Sequence, residues 1–482
     1  MAQAQEFLVR VAVPEHATKQ LSFRERAGKR VLTISSNFLS LFGFEKGDPV
    51  VEESLGPDRG IVIRRVYDLF NQQRPIKRVY GRTYKQRRNN PFEHQLEVAS
   101  QKLIDASFPA GCTRVHVSFD RGEVRVTPIF SIKERALANA RRAYAGSVFA
   151  ALTSGVDLAS MRREGFKVSA VLEWRPQEKR DTRDLTETGA MTALANSGDL
   201  VAMFNEDITN CNVDHIGSVM RDHPTMVFHA SPQCDDLSNV KAKSLKARAE
   251  EENTSTADMI IDLLNLIERV APPVIVFENV PGMLKSAPYE VAKMRLRRWG
   301  YAVHEHVGDA RLYGGLTSRK RAYVVCTALE GAFAFEAPFT AKEKAVWERF
   351  AHLLEDCRDV SGSKSLQKGK ENGRLRAVRP DSVSVPTPLK SQEHMCKDSL
   401  VFEPEDGVFL WPTEEVLKTA LGIENVDLNA VAKGIATEVI GQSIEGSHHR
   451  SIMRAVRAHI SEWCAKFRKD EPVWADMTCV AC

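Results

Sequence analysis

Residues 225–238 (TMVFHASPQCDDLS) contain an apolar run that leads directly into a turn with a proline and a cysteine. Thr225–His229 has the length and composition of a buried strand, and Ser231–Cys234 follows it at once. A cysteine on a turn after a buried strand is placed for exposure. A free cysteine is also often just a small buried apolar residue, so this stretch alone leaves the role of Cys234 open.

The alternation of short apolar runs with helical patterns continues over residues 140–330. Lys167–Leu172 (KVSAVL) and Val274–Phe277 (VIVF) are predicted strands, and Thr256–Val270 is a predicted helix with Thr256 as its cap. This alternation is typical of a doubly wound α/β domain. The other elements predicted here are a strand at Ser147–Ala150, a turn at Leu152–Gly155, a helix through Arg163 and a strand at Ala322–Cys326.

Three polar residues follow predicted strands directly: Glu173, Cys234 and Glu278. Ligands of open α/β sheets bind beyond the carboxyl ends of the strands, so we expect these side chains to border one site. Glu278 belongs to Phe277–Gly282 (FENVPG), and a carboxyl group directly after an apolar strand is partly desolvated, which favours proton donation near neutral pH. A strand-end glutamate that only caps the next segment is the alternative.

A basic segment, Tyr313–Arg321 (YGGLTSRKR), leads into the last predicted strand of this region. Arg319 and Arg321 alternate at the strand entry and therefore point to the same side. Arginine offers a planar set of donors for a carbonyl group or a phosphate. A solvated basic turn is the alternative interpretation.

The composition fits a soluble globular protein. The chain has 482 residues, is 43% hydrophobic and 27% charged, and has a net charge of +4. Nine cysteines without a paired framework favour a reducing, cytoplasmic compartment. The sequence has no apolar run of about 18 residues, so no membrane span is predicted. The N-terminus has no signal-peptide pattern.

Taken together and in this order, SPQC…S, FENVPG and YGGLTSRKR resemble the motifs of the DNA cytosine-C5 methyltransferase family of bacterial and phage type. The resemblance covers about 145–330 and 410–460. It implies a Rossmann-like, S-adenosylmethionine-dependent methyltransferase domain, a small target-recognition domain and double-stranded DNA as the partner. The N-terminal β-rich domain lies outside the resemblance.

The resemblance also implies roles for the catalytic residues. Cys234 attacks C6 of a cytosine flipped out of the duplex, which makes C5 reactive. Glu278 hydrogen-bonds N3 and the exocyclic amine, and Arg319 holds the O2 carbonyl with Arg321 as support. C5 then takes the methyl group, and loss of the C5 proton and of Cys234 releases the product.

Further segments resemble the cofactor motifs of the same family. They imply an S-adenosyl-L-methionine site built from Phe149, Leu152, Ser154, Gly155, Glu173, Trp174, Asp207, Ile208, Pro232, Gln442 and Ser443. Trp411–Glu415 resembles the penultimate motif. The chain departs from the family at Ala151, Thr153 and Ser154, where glycines are usual, and at Asp235, where glutamine is usual.

The segment after the nucleophile is a predicted mobile lid. Asn239–Asn253 contains Lys241, Lys243, Lys246 and Arg248, which we expect to contact nucleic acid. A solvated helix start is the alternative.

The sequence divides into zones: 1–135, β-rich and basic; 140–330, the catalytic core; 331–408, target recognition; 409–465, motifs that complete the core; and 466–482, a tail. Within 331–408, residues 360–395 are polar and predicted to be a loop or mobile insertion. Residues 29–66 resemble the AbrB-like swapped hairpin, which implies DNA contact or dimerisation and leaves the oligomeric state open. The basic residues proposed to contact DNA are Lys77, Arg78, Arg82, Lys85, Arg87 and Arg88.

Three alternatives remain at this point. An RNA (tRNA) cytosine-C5 methyltransferase has the same fold, a catalytically weak DNA-binding relative would explain the lost glycines, and the atypical cofactor loop leaves transfer of a modified methyl group open. One CxxC, Cys479–Cys482, is weak evidence for zinc, and no metal site is predicted.

Overall fold

The computed structural model describes residues 13–86, 92–177, 181, 184–238, 243–252, 254–339 and 344–468. The chain divides into two compact units, Met1–Ser131 and Ile132–Cys482. Within the described ranges, no helix combines the length and the apolar character that crossing a membrane requires.

The first unit is β-rich. Its strands are β1 (Ala17–Ser22), β2 (Arg24–Arg26), β3 (Lys29–Ser35), β4 (Pro49–Ser54), β5 (Ile61–Arg65), β6 (Lys77–Arg78), β7 (Tyr80–Thr83), β8 (Phe92–Val98), β9 (Arg114–Asp120) and β10 (Glu123–Ile129). They form a six-stranded sheet, β1-β9-β10-β5-β4-β6, and a four-stranded sheet, β2-β3-β8-β7. Two short helices, α1 (Phe38–Leu41) and α2 (Gln101–Ser107), accompany them.

Residues 29–66, the segment that resembles the AbrB-like swapped hairpin, have the element order strand, short helix, turn and hairpin. β3 is followed by α1, by a turn in which Glu45 donates its backbone N–H to Asp48 (2.7 Å), and by the antiparallel pair β4–β5. Alternate apolar residues of these strands, such as Ile61 and Ile63, enter the core of the unit. The relation to AbrB-like domains stays a prediction.

The second unit is built on a seven-stranded sheet. Its strands are β11 (Tyr144–Ala151), β12 (Lys167–Leu172), β13 (Ala202–Phe204), β14 (Thr225–Ala230), β15 (Val274–Asn279), β16 (Ala302–Asp309) and β17 (Lys320–Thr327), in the order β13-β12-β11-β14-β15-β17-β16. The pairs from β13 to β15 are parallel, and β17 is antiparallel to both neighbours. The order reverses between β11 and β14, so the predicted doubly wound α/β fold is confirmed.

Helices cover both faces of this sheet. They are α3 (Ile132–Arg142), α4 (Val156–Arg163), α5 (Thr188–Ser197), α6 (Val213–Asp222), α7 (Lys243–Glu251), α8 (Met259–Val270) and α9 (Ala287–Arg298), with 3-10 turns at Pro281–Lys285 and Ala310–Tyr313. The apolar stripe of α8, including Leu263 and Ile267, packs on one face of the sheet. Buried side chains such as Leu158 of α4 belong to the core on the other face.

The predicted start of α8 was wrong. The helix begins at Met259 with Asp258 as its cap, not at Thr256. The backbone N–H and hydroxyl of Thr256 instead donate to Asp236 Oδ2 (2.9 and 3.1 Å). Thr256, a residue type that often caps helices, therefore hydrogen-bonds the turn after Cys234 instead of capping α8.

A smaller sheet and the C-terminal helices complete the second unit. The remaining elements are β18 (Arg358–Asp359), β19 (Arg376–Val378), β20 (Leu400–Phe402), β21 (Leu410–Trp411), α10 (Ala351–Leu354), α11 (Lys364–Glu371), α12 (Glu414–Leu421), α13 (Lys433–Gln442) and α14 (Gly446–Phe467), with 3-10 turns at Trp347–Arg349 and Gln392–His394. The small sheet has the order β18-β21-β20-β19. Ile452, Met453 and Ile460 of α14 enter the same core as Leu158.

The interpretation of 360–395 as a loop or mobile insertion was wrong. The segment contains α11 and β19, and the side chains of Leu366 and Val378 are completely buried. Each element inserts an apolar residue into a local core while its lysines and serines cover the outside, so the polar composition concealed ordered structure.

Candidate active site

The turn that carries Cys234 lies at the point where the strand order reverses. The backbone N–H of Ser231, just after β14, donates to the carbonyl of Ala151 at the end of β11 (3.1 Å). The loops after these two strands therefore leave the sheet side by side. This is where open α/β sheets bind ligands.

Hydrogen bonds hold the turn in one shape. The Cys234 carbonyl accepts the backbone N–H groups of Leu237 (3.1 Å) and Ser238 (2.8 Å). From the neighbouring strand, Asn279 Nδ2 donates to the Pro232 carbonyl (2.8 Å), and this bond is buried. The end of β15 therefore fixes the position of the residues just before Cys234.

The Cys234 side chain lies among charged groups. Burial raises the pKa of the thiol, the positive charge of Arg321 opposes this shift, Glu278 and Asp235 add to it, and Arg319 lowers it. Without a ligand, these groups together favour the neutral thiol. The four predicted catalytic residues are thus brought together.

The two acidic residues beside Cys234 behave differently. Gln233 Nε2 donates to Asp235 Oδ2 (3.0 Å), and Asp235 raises the thiol pKa. Asp236 is bonded to Thr256, and its charge is not among the main influences on the thiol. Of these two carboxylates, Asp235 is therefore the one that disfavours the thiolate of Cys234.

The two arginines are in different environments. Arg321 Nε lies 2.8 Å from Glu278 Oε1, and both side chains are about nine-tenths buried. The Arg319 side chain is only 3% exposed, and its guanidinium donates to the Gly441 carbonyl at the end of α13 (3.3 Å). Burial also lowers the pKa of Arg319. Arg321 is therefore the partner of Glu278, whereas Arg319 links the strand entry to the C-terminal motif.

A second cluster lies at the ends of β11 and β12. Glu173 is buried, and its Oε1 accepts the backbone N–H (2.6 Å) and the hydroxyl (2.7 Å) of Thr153. Burial raises the pKa of Glu173 to about 7, although these bonds favour its ionised form. The carboxyl group thus organises the loop after β11.

That loop adopts backbone conformations that usually need glycine. Leu152 (φ 58°) and Ser154 (φ 51°) are left-handed, as is Gly155 (φ 76°). A Cβ on Gly155 would lie 2.5 Å from the backbone nitrogen of Ala193 in α5, so no larger residue fits there. The loop keeps a glycine-type shape at a cost in strain.

The other predicted cofactor residues occupy several layers around this loop. Phe149 and Ile208 are buried in the core, and Phe149 packs edge-on against Phe228. Trp174 is half-buried directly after Glu173, and Asp207 Oδ1 accepts the backbone N–H of Thr209 (3.0 Å). Pro232 is buried, Gln442 is half-buried at the end of α13, and the Ser443 hydroxyl donates to the Ile440 carbonyl (2.8 Å).

Several predicted nucleic-acid contacts are engaged within the protein. Lys77 pairs with Glu52 (2.8 Å), Arg78 donates to the Gly47 carbonyl (2.8 Å), and Arg248 pairs with Glu252 (2.7 Å). Lys243, Lys246 and Arg248 lie on α7, so the part of the lid that the structure describes is helical; Arg82 and Lys85 are exposed. Lys241, Arg87, Arg88 and the CxxC lie outside the described residues.

The sequence reasoning missed a buried polar cluster behind the turn. Asp157, His229 and His449 place potential metal-ligand atoms within 4.8 Å of one another. His229 Nε2 lies 2.9 Å from His449 Nε2, and the Ser231 hydroxyl donates to Asp157 Oδ2 (2.7 Å). The available signals were a histidine inside a buried strand and paired histidines at the start of α14.

Comparisons with known proteins match this architecture. Residues 190–405 match the family model described as C-5 cytosine-specific DNA methylase. Over 220 residues the chain is 26% identical to the type II methyltransferase M.MspI from Moraxella sp., an alignment that spans 43% of this chain and 51% of that protein. The chain thus spans about half the length of this relative.

Solved structures also align with the chain. The Entamoeba histolytica methyltransferase EhMeth is 16% identical, with 64% of this chain and 97% of that chain covered and a TM-score of 0.49. The S. pombe Dnmt2 methyltransferase is 16% identical, with 67% and 99% covered and a TM-score of 0.48.

Proposed function

We propose, on the premise that residues 190–405 belong to the C-5 cytosine-specific DNA methylase family, that this chain is a DNA cytosine-C5 methyltransferase. It transfers a methyl group from S-adenosylmethionine to C5 of a flipped cytosine in double-stranded DNA. The observation that carries the proposal is the position of Cys234: it lies on an anchored turn at the strand-order reversal, beside the Glu278–Arg321 pair.

Cys234 is the nucleophile. Its sulfur forms a bond to C6 of the cytosine, and the electrons of the C5–C6 double bond shift toward C5 and the ring nitrogen N3. Glu278 donates a hydrogen bond or proton at N3 as negative charge develops there. After methylation, removal of the C5 proton and cleavage of the sulfur–C6 bond restore the aromatic ring.

The roles of the arginines are reversed relative to the sequence-based expectation. We assign Arg321 to the O2 carbonyl and to the orientation of Glu278, because its guanidinium lies against that carboxylate and is the strongest positive influence on the Cys234 thiol. Arg319 is a positioning residue that ties the active site to Gly441. Both guanidiniums remain close enough to favour the thiolate once a substrate excludes water.

The loop at 152–155 and Glu173 form the proposed cofactor site. A buried carboxylate at the end of β12 is suited to accept the ribose hydroxyls, and the backbone N–H groups of the left-handed loop hold that carboxylate in place. The bound cofactor supplies the electrophilic methyl group. The chain's own residues orient it: Trp174 and Asp207 on the adenine side, and Gln442 and Ser443 from the C-terminal motif.

We assign DNA contact to both units. Residues 1–131 contain 21 lysines and arginines against 14 acidic residues, so this unit has an excess of positive charge. Arg74, Arg78, Arg82 and Lys85 are exposed in the described part of 74–88, and α7 presents Lys243 and Lys246 beyond the nucleophile turn. The region 331–408 is the proposed target-recognition domain.

Product identification tests the function. The protein is incubated with labelled S-adenosylmethionine and either duplex DNA or tRNA, and the nucleosides are then separated. We expect labelled 5-methyl-2′-deoxycytidine in the DNA arm only, and none with Cys234→Ser. Label in tRNA alone would replace the DNA substrate by RNA, and no 5-substituted cytosine with folded, cofactor-bound protein would refute the proposal.

A further inference from the structure

A cleft of about 340 Å³ lies beside the loop that leads to Arg319, in the second unit. Its wall includes Gly314 and Leu316 of that loop, the C-terminal end of α12 and the first turn of α14. This volume is in the range of small-ligand sites. None of the proposed catalytic or cofactor residues lines it.

Three arginines line this cleft: Arg163, Arg349 and Arg450. Arg163 and Arg349 are exposed. Within the described ranges, neither side chain has a hydrogen bond or an ion pair. Arg450 donates to the Gly422 carbonyl (3.0 Å) and to the Ser447 hydroxyl (3.2 Å). The like charge of Arg163 lowers the pKa of Arg450, after the larger effect of burial. Positive charge is thus concentrated here.

Acidic groups offset part of this charge, because the carboxylates of Glu445, Glu164 and Glu424 raise the pKa of Arg450. Glu424 and Glu445 also line the cleft. Glu445 is only 1% exposed, its Oε2 accepts the backbone N–H of His448 (2.8 Å), and its Oε1 has no partner among the described residues. Burial raises the pKa of Glu445 to about 7, so this carboxyl group can also serve as a donor near neutral pH.

We propose that this cleft is a phosphate-binding site, in which Arg163, Arg349 and Arg450 hold the anionic oxygens and Glu445 bonds a hydroxyl of the same ligand. Planar guanidinium donors match phosphate oxygens in geometry and charge. The phosphate comes either from a free nucleotide or from the DNA backbone. The backbone source rests on the proposed function; the free-nucleotide source does not.

Calorimetric titration with inorganic phosphate and with a nucleoside monophosphate tests the free-ligand source. We expect saturable binding that weakens at least tenfold in Arg163→Gln/Arg349→Gln. Arg298→Gln, which removes an exposed charge on α9, is the matched control and should bind as the wild type does. Glu445→Gln should weaken binding of the nucleotide more than that of inorganic phosphate.

Fluorescence anisotropy on duplex DNA at several salt concentrations tests the backbone source. If the phosphate belongs to DNA, the double variant loses affinity and its salt slope falls by about two charges, whereas Arg298→Gln keeps both. Loss in either assay supports the site. Unchanged phosphate, nucleotide and DNA binding in the double variant overturns it. Phosphate binding by a protein that methylates nothing would refute the proposed function and leave this site standing.

Discussion

Asn279 donates a 2.8 Å hydrogen bond to the carbonyl of Pro232, two residues before Cys234. Its Oδ1 accepts the backbone N–H of Val280 (2.8 Å), so one amide group fixes two chain segments. The Asn of the FENVPG motif therefore fixes the backbone just before Cys234, the proposed nucleophile.

Replacing Asn279 should disturb the position of Cys234 and leave cofactor binding nearly unchanged. In Asn279→Ala the buried Pro232 carbonyl loses its donor, so the free energy of unfolding should fall by about 1–3 kcal/mol and turnover should drop. Asn279→Asp keeps the acceptor for Val280 and should show the same loss of turnover. Cofactor affinity should stay within about twofold, measured by titration. The exposed Asn372→Ala is the control. Full activity of both variants would contradict the role.

Cys234→Ser should abolish turnover and the covalent complex with duplex DNA that contains 5-fluorocytosine. The physical reason is that the less acidic hydroxyl cannot add to C6 at a useful rate. Denaturing electrophoresis detects the complex, and Cys357→Ser, which replaces a half-buried cysteine between α10 and β18, should form it normally. A complex that persists without Cys234 would assign the nucleophile elsewhere.

Replacing Arg321 and replacing Arg319 should affect different properties: the rate of complex formation and the affinity for the cofactor. Arg321→Gln removes the partner of Glu278 and should lower the rate of complex formation by about 100-fold, with cofactor affinity retained. Arg319→Gln breaks the contact to Gly441 and should weaken cofactor binding more than it slows the chemistry. Single-turnover rates and cofactor titration measure the two effects. The opposite pattern would restore Arg319 as the residue at O2.

Cofactor affinity should depend on the ionisation of Glu173. Burial raises the pKa of this carboxyl group to about 7, and only the ionised form offers full acceptor strength to ribose hydroxyls. The dissociation constant should therefore rise about tenfold as pH falls from 8 to 6. Glu173→Gln should bind weakly with no such dependence, and an equal pH slope in this variant would reject the assignment.

Acid should destabilise the second unit through its buried histidines. Burial lowers the pKa of His229 to about 3 and also lowers that of His449, whereas an unfolded histidine titrates near about 6.5. The unfolded chain therefore binds protons first, and stability present above about pH 6.5 is lost as the pH falls toward 3. Glu173 and Glu445 act in the opposite direction, equally in wild type and variant.

A histidine variant isolates that contribution. Between pH 6 and 4, His449→Gln should show a stability slope smaller by about 1.4 kcal/mol per pH unit than the wild type, measured by urea unfolding. His352→Gln, on an exposed position of α10, should keep the wild-type slope. Identical slopes for all three proteins would mean that His449 is not buried as a neutral group.

Much of the catalytic fold followed from the sequence because its strands are buried on both faces and therefore apolar throughout. Lys167–Leu172 was predicted at its observed bounds. The start of α8 and the ordered elements within 360–395 were not predicted, because each depends on a tertiary contact. For α8 this is the contact of Asp236 with Thr256, and for 360–395 it is the burial of Leu366. Local pattern contains no information on such partners.

The candidate site was likewise predicted only in part from the sequence. The strand ends indicated Glu173, Cys234 and Glu278, because topology alone brings them to one edge. The separation of Arg319 from Arg321 required the contact with Gly441, which is distant in sequence. The histidine cluster was missed because its members come from β14 and α14, and no local pattern relates them.

The position of α14 determines when the protein can fold during synthesis. Met453, Val456, Ile460 and Trp463 fill one face of the central sheet, yet they are translated long after the strands they cover. A nascent chain that ends near residue 440 would expose this apolar face together with an unfinished cofactor wall. We expect ribosome-bound chains to resist protease in the second unit only after Gly446–Phe467 has left the exit tunnel, so that the nucleophile turn matures last although it is made early.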